Sequence, residues 1–362
     1  MGALEEWIAE MFLVHSLNLL RLSADVQGKI VALMGAMSKE LAAKLGEGEV
    51  SSYGKQRMAA LLRESNAVIA SHYSGVEAEA MRNLLGMVRI EADYTAKVLT
   101  QGLKIELGAK LPPATYLEKL VGDTLIKGAS SANWWKHQAL DTQFRFASQV
   151  RLGAAQGETT SQIVARVVGT SAKAVGGDAE AMPGILKTSE ANARALVHSS
   201  VQAVANAARM ASFQQNSDLI ECLVWLATLD SHTCLLCAMR DLHEYSLDGQ
   251  EPINHTHEWA GGPGAIHFSC RCVLSTRTKS FKDLGIELDE PGESTRPSDG
   301  GAVSSKMNFK DFLASKDKAW RAEYLGPGRA EMYEAGKITL NDLMNLKGRK
   351  LTLEELAAKY TK

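Results

Sequence analysis

The run Glu221-Cys222-Leu223-Val224-Trp225-Leu226-Ala227-Thr228-Leu229-Asp230-Ser231-His232-Thr233-Cys234-Leu235-Leu236-Cys237 decides the fold, because the pattern of the chain changes inside it. Glu221 to Leu229 has the β-branched and aromatic content of a strand. Upstream lies the clearest helix of the chain, Ser189 to Phe213. Its small residues, Ala191, Ala195, Ala205, Ala208 and Ala211, suit close packing against neighbours. Downstream, Cys234-x-x-Cys237 has the spacing of a tight turn that brings two thiolates to one metal ion. Val273-Leu274-Ser275-Thr276 reads as a second strand. The segment between the strands is loop-rich and holds His232, His243, His255, His257 and His267.

The five cysteines all fall between Cys222 and Cys272, and an odd number clustered in 362 residues is unlike a disulfide framework. His267-Phe268-Ser269-Cys270-Arg271-Cys272 adds three ligand candidates to Cys234 and Cys237. Zinc takes four ligands of this kind in a tetrahedron. On an extended backbone Cys270 and Cys272 face opposite sides, so only one of them is expected to bind. The favoured set is Cys234, Cys237, His267 and Cys270, with Cys272 as the alternate fourth ligand. Bound Zn2+ would contribute on the order of 10 kcal/mol to a segment with little core of its own. Buried thiols without metal would account for Cys222 in its apolar run, but not for the spacing of the other four. A redox C-x-x-C normally opens a helix in a βαβ unit, which is not the pattern here. His255, His257 and Glu258 suggest a competing reading, a zinc-dependent hydrolase or nuclease with Glu258 as base. They stand among Pro252, Gly261, Gly262 and Pro263, in loop rather than helix.

Moving outward, apolar residues from Leu4 to about Leu45 recur at helical spacing, break at Gly46 to Gly54, and resume from Met58 to Leu99. Pro112-Pro113 stops that run. Residues 1–170 are thus expected to be a helical array. Ser171 to Gly184 reads as a loop, and residues 185–280 as a small α+β domain carrying the knuckle. Residues 289–305, with two prolines and three glycines, read as a linker. Residues 307–362 read as a tail of short helices, with Gly336 and Gly348 at stops, Thr339 as an N-cap and Thr352 with Glu355 as a capping box. The fold class expected is mainly α, with a small α+β core containing a zinc knuckle.

Composition agrees: 45% hydrophobic and 23% charged residues mark a globular chain, and 6% aromatic residues with abundant alanine and leucine favour helix packing. A formal net charge of −2 offers no global attraction to nucleic acid, so contact with DNA would need local basic patches. Arg271, Arg277, Lys279 and Lys282 form one candidate patch, and Lys347, Arg349 and Lys350 another. No phosphate loop, dinucleotide fingerprint or nucleophile elbow is present. The acidic Glu5-Glu6 is unlike a signal peptide, and Met11 to Leu22 is too short and too polar for a membrane span, so a cytoplasmic product is expected.

The run from Ala191 to Thr276 resembles the phage head morphogenesis, or Mu protein F-like, domain of tailed bacteriophages. Arg194, Asn206 and Arg209 match its helix, and Trp225 its tryptophan strand. Asp230-Ser231-His232-Thr233-Cys234-x-x-Cys237 matches Asp-x-Arg-Thr-Cys-x-x-Cys, with His232 where arginine is usual. His267 to Cys272 matches His-Pro-x-Cys-Arg-Cys, with Phe268 where proline is usual. Leu325-Gly326-Pro327-Gly328-Arg329, Gly336 to Leu340 and Leu351 to Leu356 resemble the tail of some members. The resemblance implies a minor capsid protein of the virion, assembled in the bacterial cytoplasm and held inside the head. Its implied partners are the portal protein, other capsid or scaffold proteins, and packaged duplex DNA through local basic patches.

Overall fold

Two proline-free stretches set the N-terminal architecture. Ala3–Leu45 forms helix α1 and Lys55–Leu103 forms helix α2, separated by a 3-10 turn at Val50–Ser52. The computed structural model describes residues 3–104, 108–169, 184–285, 294–344 and 350–360. Pro112 and Pro113 precede α3 (Ala114–Asp123), where a missing N–H costs nothing. A two-stranded hairpin, β1 (Leu125–Ile126) and β2 (Ala129–Ser130), leads to α4 (Ser131–Ala155), capped by the Ser130 hydroxyl. Helix α5 (Thr160–Val168) starts on a capping box of Thr159 and Gln162. Helix α6 (Ile185–Gln215) is the helix legible from Ser189 to Phe213. The chain is 63% helical with small antiparallel sheets, the mainly α class expected.

The chain divides into two compact units, each discontinuous in sequence. One comprises residues 20–87 and 121–201. Val26, Ile30, Met37, Leu41, Ile69, Trp135 and Phe146 are buried in it. A buried relay of hydroxyls, Tyr73 to Thr142 to Ser189 at 2.9 Å per step, pairs these three polar groups with one another.

The other unit comprises residues 1–19, 88–120 and 202–362. The strand expected at Glu221 to Leu229 is β3 (Ile220–Leu226), and the one after the last cysteine is β6 (Val273–Thr278). They pair antiparallel with Leu226 opposite Val273, and β3 pairs on its other edge with β4 (Glu244–Tyr245), which pairs β5 (Pro252–Ile253). The order is β5-β4-β3-β6. Leu4, Ile8, Phe12, Leu99 and Phe213 pack with Leu223, Trp225 and Leu274 in one core.

Residues 294–305 depart from the linker expectation. Thr295–Ser298 and Gly301–Ser304 form a hairpin, β7 and β8. Arg296 is buried and makes a bidentate pair with Asp241, its Nη1 and Nη2 each 3.0 Å from a carboxylate oxygen. That carboxylate also accepts from the Ala227 N–H, so the ion pair fastens the hairpin beside β3. Residues 289–293 lie outside the described residues, as do 171–183 of the expected loop. The tail is helical as read: α8 (Phe309–Ser315), α9 (Lys318–Leu325), α10 (Pro327–Glu334), a 3-10 turn at Leu340–Leu343 and α11 (Leu353–Tyr360). Thr352 and Glu355 exchange the two bonds of a capping box, and Gly336 ends α10 with a φ of 67°. Gly348 lies outside the described residues. Among the described residues no helix is long and apolar enough to cross a membrane.

Candidate metal centre

Antiparallel pairing explains why ligands thirty residues apart meet. Leu226 ends β3 opposite Val273, which begins β6, so the loop leaving one strand and the loop entering the other emerge at the same end of the sheet. The first loop runs to Cys234, which caps a single helical turn, α7 (Leu235–Ala238). Cys237 and Ala238 donate N–H bonds to the Cys234 carbonyl at 3.1 and 2.9 Å, which turns both sulfurs to one side. The second loop delivers His267, Cys270 and Cys272.

The side chains converge in two groups that share Cys237. In Cys234, Cys237 and His267, and again in Cys237, Cys270 and Cys272, the ligand atoms lie within 4.8 Å of one another. His267 Nε2 is 3.0 Å from the Cys234 sulfur and 3.3 Å from that of Cys237, and the sulfurs of Cys237 and Cys270 are 3.7 Å apart. Two thiolates on one tetrahedral zinc, with bonds of about 2.3 Å, stand about 3.8 Å apart. The donor set therefore fits a borderline-soft divalent ion in type and in spacing. The expected split between Cys270 and Cys272 does not occur. Ser269 takes a φ of 58°, and the chain enters β6 only at Val273, so both sulfurs face Cys237. Cys237, Cys270 and Cys272 are buried, whereas Cys234 is half-buried.

Hydrogen bonding around the centre favours the thiolate at Cys234 and Cys270, while Cys237 and Cys272 are pushed above the usual thiol range. The Gly264 N–H donates to the Cys270 sulfur at 3.3 Å. Neighbouring Cys237 and Cys272 hold Cys270 well below the usual thiol range against the effect of burial. The Cys237 contact and the nearby imidazole bring Cys234 down to about 5, although burial opposes it. Burial works against charge on His267 too, but Cys234 and Cys270 outweigh it and raise the imidazole to about 11. Without metal the centre thus carries protons that a bound ion would displace, so metal affinity must fall with acidity.

Supporting contacts reach back into the fold. Arg271 makes a bidentate pair with Asp230, both bonds 2.6 Å. Asp230 also accepts from the His232 N–H, and the Thr233 hydroxyl donates to the Thr228 carbonyl. These are the turn-bracing roles such residues favour. Asn206 on α6 donates to the Cys272 carbonyl at 3.1 Å and accepts from the Leu274 N–H at 2.7 Å. Gly264 fits only as glycine: a Cβ there would stand 2.6 Å from Asn206 Nδ2, and its φ is 81°.

His255, His257 and Glu258 do not assemble into a site. His255 donates through Nε2 to the Glu244 carbonyl at 2.7 Å and accepts at Nδ1 from the His257 N–H, so both ring nitrogens are engaged. Glu258 is exposed, and among the described residues no metal-capable group includes any of the three. The two histidines are not solvent-exposed. His243, His255 and His257 are half-buried, with centroids 4.1 Å (His243–His255) and 5.1 Å (His243–His257) apart. Burial, reinforced by His255, His257 and Arg240, holds His243 near pKa 3. The basic residues after the knuckle are largely compensated: Arg277 pairs with Glu221 and Glu244, and Lys279 donates to the Asp218 carbonyl. Lys347 and Arg349 lie outside the described residues.

Two features carried no sequence signal. Tyr324 and Lys350, distant in the tail, line a cavity with Cys234 and His267. Asp241 and Arg296 form a buried pair from residues with no motif to mark them. Comparison with protein-family models, with curated proteins and with solved structures finds no match to the chain.

Proposed function

We propose that the cluster of Cys234, Cys237, His267, Cys270 and Cys272 holds one zinc ion as a structural centre, and that the chain is a minor head protein of a tailed bacteriophage. It acts at or near the portal, inside the head, in assembly, DNA packaging or ejection. The metal reading rests on the 3.7 Å separation of the Cys237 and Cys270 sulfurs with His267 Nε2 alongside. A bound ion neutralises the thiolates and joins the loop after β3 to the loop before β6. Cys234, Cys237 and His267 hold it from one side, with Cys270 or Cys272 completing the tetrahedron.

A knuckle specifies no activity by itself, so the virion reading is carried by the resemblance across Ala191 to Thr276. What supports it is that the matching residues work together: Asn206 ties α6 to the backbone on both sides of Val273, and Asp230 pairs with Arg271. Portal, capsid or scaffold proteins are the partners proposed ahead of DNA, because Arg271, Arg277 and Lys279 already have internal partners.

Elemental analysis of the purified chain should give about one zinc per molecule, lost in a Cys234→Ser/Cys237→Ser variant. A metal-free chain with a native fold would leave only buried thiols. For the virion reading, purified heads and portal complexes should contain this chain by mass spectrometry. Its absence from both would sink that reading while leaving the zinc centre intact.

A further inference from the structure

We propose that His243, His255 and His257 form an acid-released clasp, which holds the loop after β5 against β3 and β4 while the rings are neutral and frees it when they gain protons. This goes beyond the metal reading and does not depend on it. The loop, Asn254 to Trp259, has no strand or helix of its own. Side chains hold it instead. His255 donates through Nε2 to the Glu244 carbonyl, and the His255 and His257 rings lie at 17° and 16° to that of His243. Trp259 packs edge-on against Trp225 of β3 and Tyr245 of β4.

Each ring meets its own geometric obstacle to charge. The Nε2 bond of His255 leaves Nδ1 to accept from the His257 N–H at 3.2 Å, so a proton on Nδ1 would set donor against donor. His243 Nδ1 is buried with no hydrogen-bond partner, so a proton there would be an unpaired buried donor. A charge on His257 would stand over the His243 ring in the field of Arg240. Among the described residues no carboxylate pairs with any of the three rings. Asp241 is taken by Arg296, and Glu221 and Glu244 by Arg277, while Asp248, Glu251 and Glu258 are exposed. Arg240, whose Nε donates to the Glu258 carbonyl, adds a fixed positive charge. Tyr245, edge-on to His255, is kept neutral by burial. Burial first, with Arg240 and the neighbouring imidazoles behind it, holds His243 near pKa 3 and His257 below its usual value. A ring kept neutral in the closed loop stabilises it above the ordinary value of 6.5, and that stability is lost as pH falls from there toward 3.

The test is hydrogen–deuterium exchange of the full chain at pH 7 and pH 5, corrected for intrinsic exchange, with zinc content measured at each pH. Opening of peptides from Leu242 to Ala260 should rise about tenfold or more in the wild type. His243→Phe keeps a ring that cannot charge, and His257→Gln removes a second proton site. In each variant the rise should be at least about threefold smaller, while peptides from α6 respond alike in all three proteins. NMR of the ring nitrogens in the wild type should find His243 still neutral at pH 5. The proposal is overturned if His243 titrates near its ordinary value, or if both variants loosen with acid as much as the wild type. A chain found without zinc that still shows the acid response sinks the metal reading and keeps this one.

Discussion

Asn206 shows how much can hang on one side chain. Its amide donates to the Cys272 and Gln202 carbonyls and accepts from the Leu274 N–H, all in a buried setting. Truncation to alanine leaves a buried N–H and a buried carbonyl on the edge of the metal centre with no partner. Each such group costs about 1–3 kcal/mol. Asn206→Ala should therefore lower stability by about 2–4 kcal/mol in urea unfolding and weaken zinc retention against a chelator. A loss below about 0.5 kcal/mol would mean that water replaces the amide, and the clamp would not be structural. The neighbouring Gly264 belongs to the same device, since its missing Cβ lets the backbone approach Asn206 and reach the Cys270 sulfur. At this scale the sequence was half legible. Ligand types at C-x-x-C and H-x-x-C-x-C spacing announce a metal, because the chemistry of coordination restricts both. Nothing local announces that Gly264 must be glycine or that Tyr324 lines a cavity with Cys234 and His267, because those needs arise from residues far along the chain.

Elements follow local rules more closely. Helices α1, α2 and α6 are long and periodic, with breaks where glycine and serine collect at 46–54 and where Pro112 and Pro113 stand. Periodicity and chain breakers are local properties, so these helices can be read without a fold. The Thr352–Glu355 capping box is legible for the same reason. The hairpin of β7 and β8 is the opposite case. Ser294 to Ser305 has the glycine, proline and serine content of a linker, yet its Arg296 is buried against Asp241 and its Ser294 N–H and Ser305 hydroxyl bond to Glu6. Composition describes how a free segment behaves, and here distant carboxylates hold the segment in place. The alternation that should have separated Cys270 from Cys272 fails similarly, because the strand begins only after both cysteines.

At the scale of the whole molecule, one buried ion pair gathers the unit of residues 1–19, 88–120 and 202–362. Glu91 on α2 meets Arg209 on α6 at 2.5 Å, both 1% exposed at the side chain, and His15 on α1 stands 2.8 Å from the other Glu91 oxygen. Burial pushes the Glu91 carboxyl up, but Arg209 and His15 prevail and hold it below the ordinary range. The sign follows: a depressed carboxylate stabilises the fold above its unfolded value near 4.5, and that stability is lost as pH falls through the folded value. Arg209→Met strands the buried charge and should cost about 3–5 kcal/mol at pH 7. The deficit should narrow on acidification in paired urea titrations, since a protonated Glu91 no longer needs the guanidinium. A deficit that stays constant or widens toward pH 4 would falsify the ionic account. The sequence by itself determined the long helices, the two long strands β3 and β6, and the ligand chemistry of the knuckle, because periodicity, propensity and coordination act over short spans. Only the tertiary structure decided that both late cysteines face Cys237, that the supposed linker is a fastened hairpin, and that tail residues wall a cavity at the metal's flank. Those outcomes depend on burial and electrostatic pairing between residues up to three hundred positions apart, which no local pattern encodes.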